Sequence, residues 1–260
     1  EKLAQQFERF DDDTLYKPYA TSLRMSDIGY KNNTQAGLRI SFNNLAEYVD
    51  SLGRAIATPN PDYQRIGVQV NGAYRQLNAN RLQIENEYYN SVRPKQIIQS
   101  GEKPTLALKR RGIRYVELRS VDLNPFQPSA IDLGELRFLE AFMLFCLLEP
   151  SVPFSETERN FANANLQNVA VAGRQPGLLL ERDGIAIGLK PWAIEIAESL
   201  TGICERLDHG NLKRPYRTSL ERQKEKIRDP EQTPSAQVLA QMRATGECFG
   251  AFAQRLSRQH

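Results

Sequence analysis

Side chains able to do chemistry stand close together in IRYVELRSVDLNPF (113–126), where Glu117 and Arg119 lie two positions apart in a strand-like run. Strand side chains alternate between faces, so Ile113, Tyr115, Glu117 and Arg119 share one face and Val116 and Leu118 take the other. A carboxylate and a guanidinium on one face, backed by apolar residues, call for a polar counterpart, because an unpaired buried charge is strongly unfavourable. A metal ion bound to a nucleotide phosphate would satisfy both groups. An edge strand carrying a solvated ion pair explains the same pattern, and this segment by itself leaves both open.

The remaining chemical inventory narrows the reaction class. The chain has only two histidines, His209 beside an expected helix end and His260 at the end of the sequence, and both read as surface residues. The sequence contains no GxxxxGK, GxGxxG, HExxH or GxSxG pattern. Three cysteines, Cys146, Cys204 and Cys248, are widely spaced and form no CxxC, which argues against a thiolate metal site or a disulfide framework. They are expected to be small residues on apolar helical faces. Carboxylates, arginines, tyrosines and asparagines are left: hard oxygen ligands suit magnesium and guanidiniums suit phosphate. That combination fits phosphoryl transfer, where positioning and charge neutralisation supply most of the catalysis.

The elements that must position these groups are readable from periodicity and caps. Asn44 followed by Glu47 reads as a capping box, with Leu45, Tyr48, Val49, Leu52 and Ile56 on one helical face. After the loop TPNPDY, the runs RIGVQV and AYRQL flank Asn71-Gly72, the dipeptide suited to a type I′ hairpin turn. QIENEYY (83–89) is expected as a strand. Asp132 with Glu135 forms a second capping box, with Ile131 and Leu136 as its hydrophobic staple, and LRFLEAFMLFCLL reads as a buried central helix. One helix is expected over 192–207 and another from Thr233, with Pro234 in its first turn and Gly246 at its stop. The charged stretch 214–229 fits either a loop or an exposed helix. Strands thus concentrate between about 65 and 120 and helices dominate the second half, giving an α+β fold. A single unit over 1–260 is expected, with a strand-containing catalytic part (1–126) and a helical part (127–260).

Composition sets the outer bounds. A length of 260 residues with 40% hydrophobic content suffices for a real core. A net charge of +3 and two short, interrupted basic clusters do not make a nucleic-acid-binding face. The longest apolar stretch, 138–148, contains Glu140 and is too short to span a bilayer. No N-terminal leader is evident, so a soluble, cytoplasmic protein without membrane or nucleic-acid partners is expected. Because the sequence starts at Glu1, it reads as a trimmed piece or part of a longer polypeptide.

Four strings, PYATSLRMSDIGY (18–30), LQIENEYYNSVRPK (82–95), IRYVELRSVDLNPF (113–126) and GRQPGL (173–178), resemble in order and spacing the proteobacterial glutamate-cysteine ligase family. The resemblance continues more weakly to about residue 256. It implies a glutamine-synthetase-like fold and ATP- and Mg2+-dependent ligation of the γ-carboxylate of L-glutamate to the amine of L-cysteine through a γ-glutamyl phosphate, the first step of glutathione biosynthesis. By the same resemblance, Glu117 is the magnesium-binding glutamate and Arg119 the arginine that meets the transferring phosphoryl group. Arg24, Tyr30 and Tyr89 are substrate-pocket residues. Asn86, Arg93 and Lys95 are nucleotide or phosphate contacts.

The resemblance covers the C-terminal half of the family and none of the N-terminal half, where the other acidic magnesium ligands are expected. One glutamate does not complete a magnesium site, so the chain alone is expected to have little activity and to require the complementary N-terminal half as a partner. Two alternatives accompany this reading: a carboxylate-amine ligase with another amino acceptor, and a non-catalytic fragment or assembly module of the same fold.

Overall fold

The computed structural model describes residues 6–29 and 38–259. In chain order, the first elements are β1 (Glu8–Arg9), β2 (Leu15–Tyr16), α1 (Leu45–Ala57), α2 (Pro61–Ile66), β3 (Gln69–Val70), β4 (Ala73–Tyr74), β5 (Val92–Lys95), α3 (Pro104–Arg111) and β6 (Tyr115–Leu118). There follow α4 (Leu133–Leu148), α5 (Glu156–Ala172), β7 (Leu179–Arg182), β8 (Ile185–Gly188), α6 (Leu189–Ser199), α7 (Thr201–Leu207), α8 (Pro215–Arg228), α9 (Pro234–Thr245) and α10 (Phe249–Gln259). The fold is α+β, and among the described residues the strands form four separate antiparallel pairs.

The described residues fall into two compact units. The first contains the described residues of Glu1–Ser26, Asp122–Ser151 and Ser155–His260; the second contains those of Asp27–Val121 and Val152–Phe154.

In the first unit, the reciprocal Asp132–Glu135 cap starts α4, as the sequence indicates. Ala141 of that helix packs with Ala197, Leu200, Cys204 and Leu220 from the α6–α8 region. The charged stretch 214–229 folds mainly as α8, with Ser219, Leu220 and Lys224 buried beneath its charged surface. Helix α9 begins at Thr233, whose hydroxyl accepts from the Ala236 amide, and ends at the left-handed Gly246. A second cluster joins Met242, Phe252 and Leu256 with Phe10 and Phe126.

Several expectations change here. The helix expected over 192–207 is two helices, α6 and α7, meeting at the fully buried Leu200. Helix α4 is not buried on all sides: Leu136, Leu147 and Leu148 are exposed, and so is Cys146. Hairpin β7–β8 turns through Asp183 and Gly184, both at positive φ. This is a D-G signature between two strand-like runs that went unused above.

In the second unit, Tyr48, Leu52 and Ala55 of α1 pack with Ile40, Leu82 and Leu108, while Leu45, Val49 and Ile56 border the same core. The Asn44 side chain accepts from the Glu47 amide, capping α1. The Asn71-Gly72 turn joins β3 to β4 with both residues at positive φ. Part of the expected loop before it is α2, begun by Pro61 and capped by Asn60. No described helix is long and apolar enough to cross a membrane.

Candidate functional site

Strand β6 is delivered by a defined local sequence. Pro104 opens α3, and Gly112 ends it at φ 75°, its amide bonding back to Leu108 O at 2.9 Å. The left-handed region is open to glycine at little steric cost, so the chain can leave α3 and enter β6 within three residues. The register pairs Val92 with Leu118, Arg93 with Glu117 and Lys95 with Tyr115. The Arg119 amide continues the pairing by donating to Ser91 O at 2.8 Å. Directly paired residues lie on the same face, so the front of this ribbon presents Arg93, Lys95, Tyr115, Glu117 and Arg119.

Glu117 stands between two cations. Lys95 Nζ is 3.2 Å from its Oε2, and Arg119 Nε is 3.6 Å from its Oε1. The Lys95 approach is an ion pair without hydrogen-bond alignment: Oε2 is shielded from solvent and accepts no hydrogen bond. The Arg119 guanidinium also lies over the Tyr89 ring, 6.0 Å from its centroid, while Tyr89 remains 41% exposed. At that separation the ring attracts the cation weakly. Lys95, Glu117, Arg119 and Tyr89 are therefore brought together. The expected apolar back is less covered than the parity argument required, since Val116 is 42% exposed.

The segment expected to be a strand at 83–89 is a turn with a 3-10 helix at Glu85–Glu87. Its acidic side chains bind backbone amides. Glu85 accepts from Thr105 N at 2.7 Å and Thr105 Oγ1 at 2.5 Å, holding the start of α3, and Glu87 accepts from Gln83 N at 2.6 Å. Arg93, only 6% exposed, donates to the carbonyls of Asn86 and Tyr88. Asn86 and Arg93 thus form a brace for the turn that carries Tyr89. The Arg93 guanidinium is turned to main-chain oxygens, and its burial with nearby Glu85 and Tyr48 gives it a scaffolding part that the sequence did not reveal. Burial raises the Tyr48 pKa above the usual phenol value, with Arg93 acting in the opposite direction. The cavity bordered by Asn86, Arg93 and Lys95 is about 20 Å³, room for roughly one water and too small for a nucleotide.

Arg24 belongs to the first unit, within a 3-10 helix at Leu23–Met25. Its Nε donates to Asp122 Oδ1 at 2.6 Å. The partner Asp122 was missed in the sequence although it lies within the same string as Glu117. Tyr30 lies outside the described residues. A larger open depression of about 380 Å³, between the end of α7 and the start of α8, is bordered by His209 and contains none of the candidate site residues.

Glu117 supplies a hard oxygen donor of the kind magnesium takes, with one carboxylate oxygen accepting no hydrogen bond. Among the described residues, no group of three or more His, Cys, Asp or Glu side chains is arranged to hold a metal ion. These residues therefore fit one position of a magnesium site and do not complete it.

Comparison with known proteins gives the family. Residues 1–169 match the family described as Glutamate-cysteine ligase. A glutamate-cysteine ligase of Pseudomonas paraeruginosa is 51% identical over 255 residues, covering 98% of this chain and 48% of that protein. One from Pseudomonas entomophila is 50% identical, with the same two coverages. The solved structure of glutamate-cysteine ligase from Francisella tularensis in complex with AMP has a TM-score of 0.84 at 38% identity, covering 93% of this chain and 47% of that one. A bifunctional glutathione synthetase from Pasteurella multocida, at 21% identity and TM-score 0.64, shares the fold over 97% of this chain and 27% of its own. The chain belongs to the glutamate-cysteine ligase family and spans about half the length of the curated relatives it matches.

Proposed function

We propose that this chain is the C-terminal portion of an ATP-dependent glutamate-cysteine ligase, and that it carries the phosphoryl-transfer side of the active site. The observation that carries this reading is the Lys95–Glu117–Arg119 array, with Tyr89 against Arg119, in a chain of this family. L-glutamate and L-cysteine are the proposed substrates, ATP the phosphoryl donor and the complementary N-terminal half the partner. A cytoplasmic setting suits a chain whose three cysteines are free.

In this reaction an oxygen of the glutamate γ-carboxylate attacks the γ-phosphorus of ATP, and the bond from that phosphorus to the ADP oxygen breaks. The cysteine amine then attacks the acyl carbon, the carbon–oxygen bond to phosphate breaks, and the nitrogen releases a proton. Arg119 would balance charge on the transferring phosphoryl group, a role for which a planar guanidinium is well shaped. Tyr89 would keep that guanidinium aimed. Glu117 would hold Mg2+, which when bound neutralises phosphate charge. Lys95 adds a second cation at the same carboxylate on the nucleotide side, and Asn86 and Arg93 support that side through the turn they brace. Arg24 would grip an amino-acid carboxylate. Tyr30 and Tyr89 would supply walls of the cysteine pocket.

The test is phosphate release from ATP with glutamate, cysteine and Mg2+, using this chain alone and the chain joined to its N-terminal half. Release only in the combined sample, and only with both amino acids present, supports the proposal. Equal release by the lone chain would refute the incomplete metal site. No release in either sample would favour the non-catalytic alternative.

A further inference from the structure

The string GRQPGL (173–178) has no part in the chemistry above, yet its first two residues are tightly built in. Gly173 ends α5 in the right-handed region, so its requirement is not conformational freedom. A Cβ there would meet Val169 O at 2.5 Å and Thr21 Cγ2 at 2.6 Å, closer than real contacts allow. The space is missing because the chain around residues 18–22 is laid across the end of α5. Thr21 N and Ser22 N donate to Ala170 O at 3.0 and 3.1 Å, and Thr21 Oγ1 donates to Val169 O at 2.6 Å. The bonds to Ala170 O fill a carbonyl in the last turn of the helix, where intrahelical partners run out, while Val169 O also accepts from the Gly173 amide at 2.8 Å.

Arg174 fastens the same segment through its carbonyls. Its amide donates to Tyr19 O at 3.0 Å, Nε donates to Ala20 O at 3.3 Å, and Nη2 donates to Pro18 O. Nη1 donates to Glu231 Oε1 at 3.0 Å, and the Arg174 side chain is only 4% exposed. A buried guanidinium is tolerated when its donors are matched, and a lysine cannot reproduce this fork of separated acceptors. A few residues beyond these ties, the turn at Leu23–Met25 offers Arg24 to Asp122.

We propose that Arg174 is a positioning residue: with Gly173 it seats the 18–26 segment on the end of α5 and thereby sets the place from which Arg24 grips an amino-acid carboxylate. This rests on Arg24 being a substrate residue, as proposed above. The experiment is carried out on the enzyme containing both halves, with Arg24→Ala, Arg174→Lys, Glu231→Gln and the Arg24→Ala/Arg174→Lys double variant.

Amide hydrogen exchange should rise about tenfold or more at Thr21 and Ser22 in Arg174→Lys, while the amides of α4 and α8 stay unchanged. The same variant should raise KM for the amino acid whose KM Arg24→Ala raises, by about tenfold, with kcat and KM for ATP within about threefold of wild type. The double variant should be no worse than Arg24→Ala alone. Glu231→Gln, which removes one tie from a largely exposed carboxylate, should show the same pattern more weakly and decides the matter if Arg174→Lys does not fold. Unchanged exchange at residues 21–22, or additive KM effects, overturns the proposal. If Arg24→Ala leaves both amino-acid KM values unchanged, the substrate reading of Arg24 falls, whatever the exchange data show for Arg174.

Discussion

Two three-membered charge clusters in this chain are built in opposite ways. On β5–β6, one carboxylate, Glu117, stands between Lys95 and Arg119, and its side chain is 37% exposed. In the helical unit, one ammonium, Lys224, stands 3.0 Å from Glu198 and 3.5 Å from Glu221, with only 5% of its side chain exposed. The lysine stem is buried beside Ser219 and Leu220, its two carboxylates reach solvent, and the cluster ties α8 to α6. Such a cluster is satisfied by the protein alone. In the Glu117 cluster one carboxylate oxygen accepts no hydrogen bond, and the neighbours Tyr115 and Val116 are exposed. The difference is one of burial and of which charge is central: a buried ammonium joins two helices, whereas a half-exposed carboxylate lies on a two-stranded ribbon.

That contrast can be broken at either end. Arg119→Ala should have the largest effect, lowering kcat by about 100- to 1,000-fold while changing the KM for each amino acid by less than about threefold. Steady-state kinetics on the enzyme containing both halves reads this directly, and a pure KM effect would move Arg119 from transition-state stabilisation to ordinary binding. At the helical cluster, Lys224→Ala should cost about 2 kcal/mol by urea denaturation, whereas Lys224→Met, which keeps the buried stem, should cost less than about 1 kcal/mol. Neither change should alter kcat. Equal costs would mean that the charge pairs, and not the stem, dominate.

The smallest effect concerns a surface pair in the second unit. Hydrogen bonds from Arg111 hold the Glu102 carboxyl at a pKa of about 2, below its ordinary 4.5. A depressed carboxylate contributes stability above the unfolded-state pKa and loses it as pH falls toward the folded-state value. Glu102→Gln should therefore lower stability slightly at neutral pH and flatten the stability–pH curve between about 4.5 and 2, so that the variant and wild type converge at the acid end, as read by denaturation at a series of pH values. For Cys204, burial raises the thiol pKa to about 11, so at neutral pH this residue is a core filler and not a reactive thiolate.

What could be read from the sequence was local or periodic. The Asp132–Glu135 box, the Thr233–Pro234 start, the Gly246 stop and the Asn71-Gly72 turn are set by bonds within a few residues, and they formed as read. Parity placed Glu117 and Arg119 on one face, and the register added Lys95 opposite the same region. The failures involve distant partners. A seven-residue alternation at 83–89 fits a strand, but Glu85 is drawn to Thr105 and the carbonyls of Asn86 and Tyr88 to Arg93, so the chain turns instead. Apolar residues around α4 implied burial on every side, yet Leu147 and Leu148 are exposed in a chain about half the length of its relatives. Hydrophobic pattern registers what a whole protein covers, and a part of it need not cover the same surface.

The proposed role of Glu117 as a metal-side ligand is tested most directly by the dependence of turnover on Mg2+ concentration. In the enzyme containing both halves, Glu117→Gln should lower ATP-dependent turnover by about 100-fold or more and shift the Mg2+ requirement upward, while the urea midpoint stays close to wild type. Wild-type turnover with an unchanged Mg2+ requirement would contradict the assignment and leave the β5–β6 cluster as a solvated ion pair.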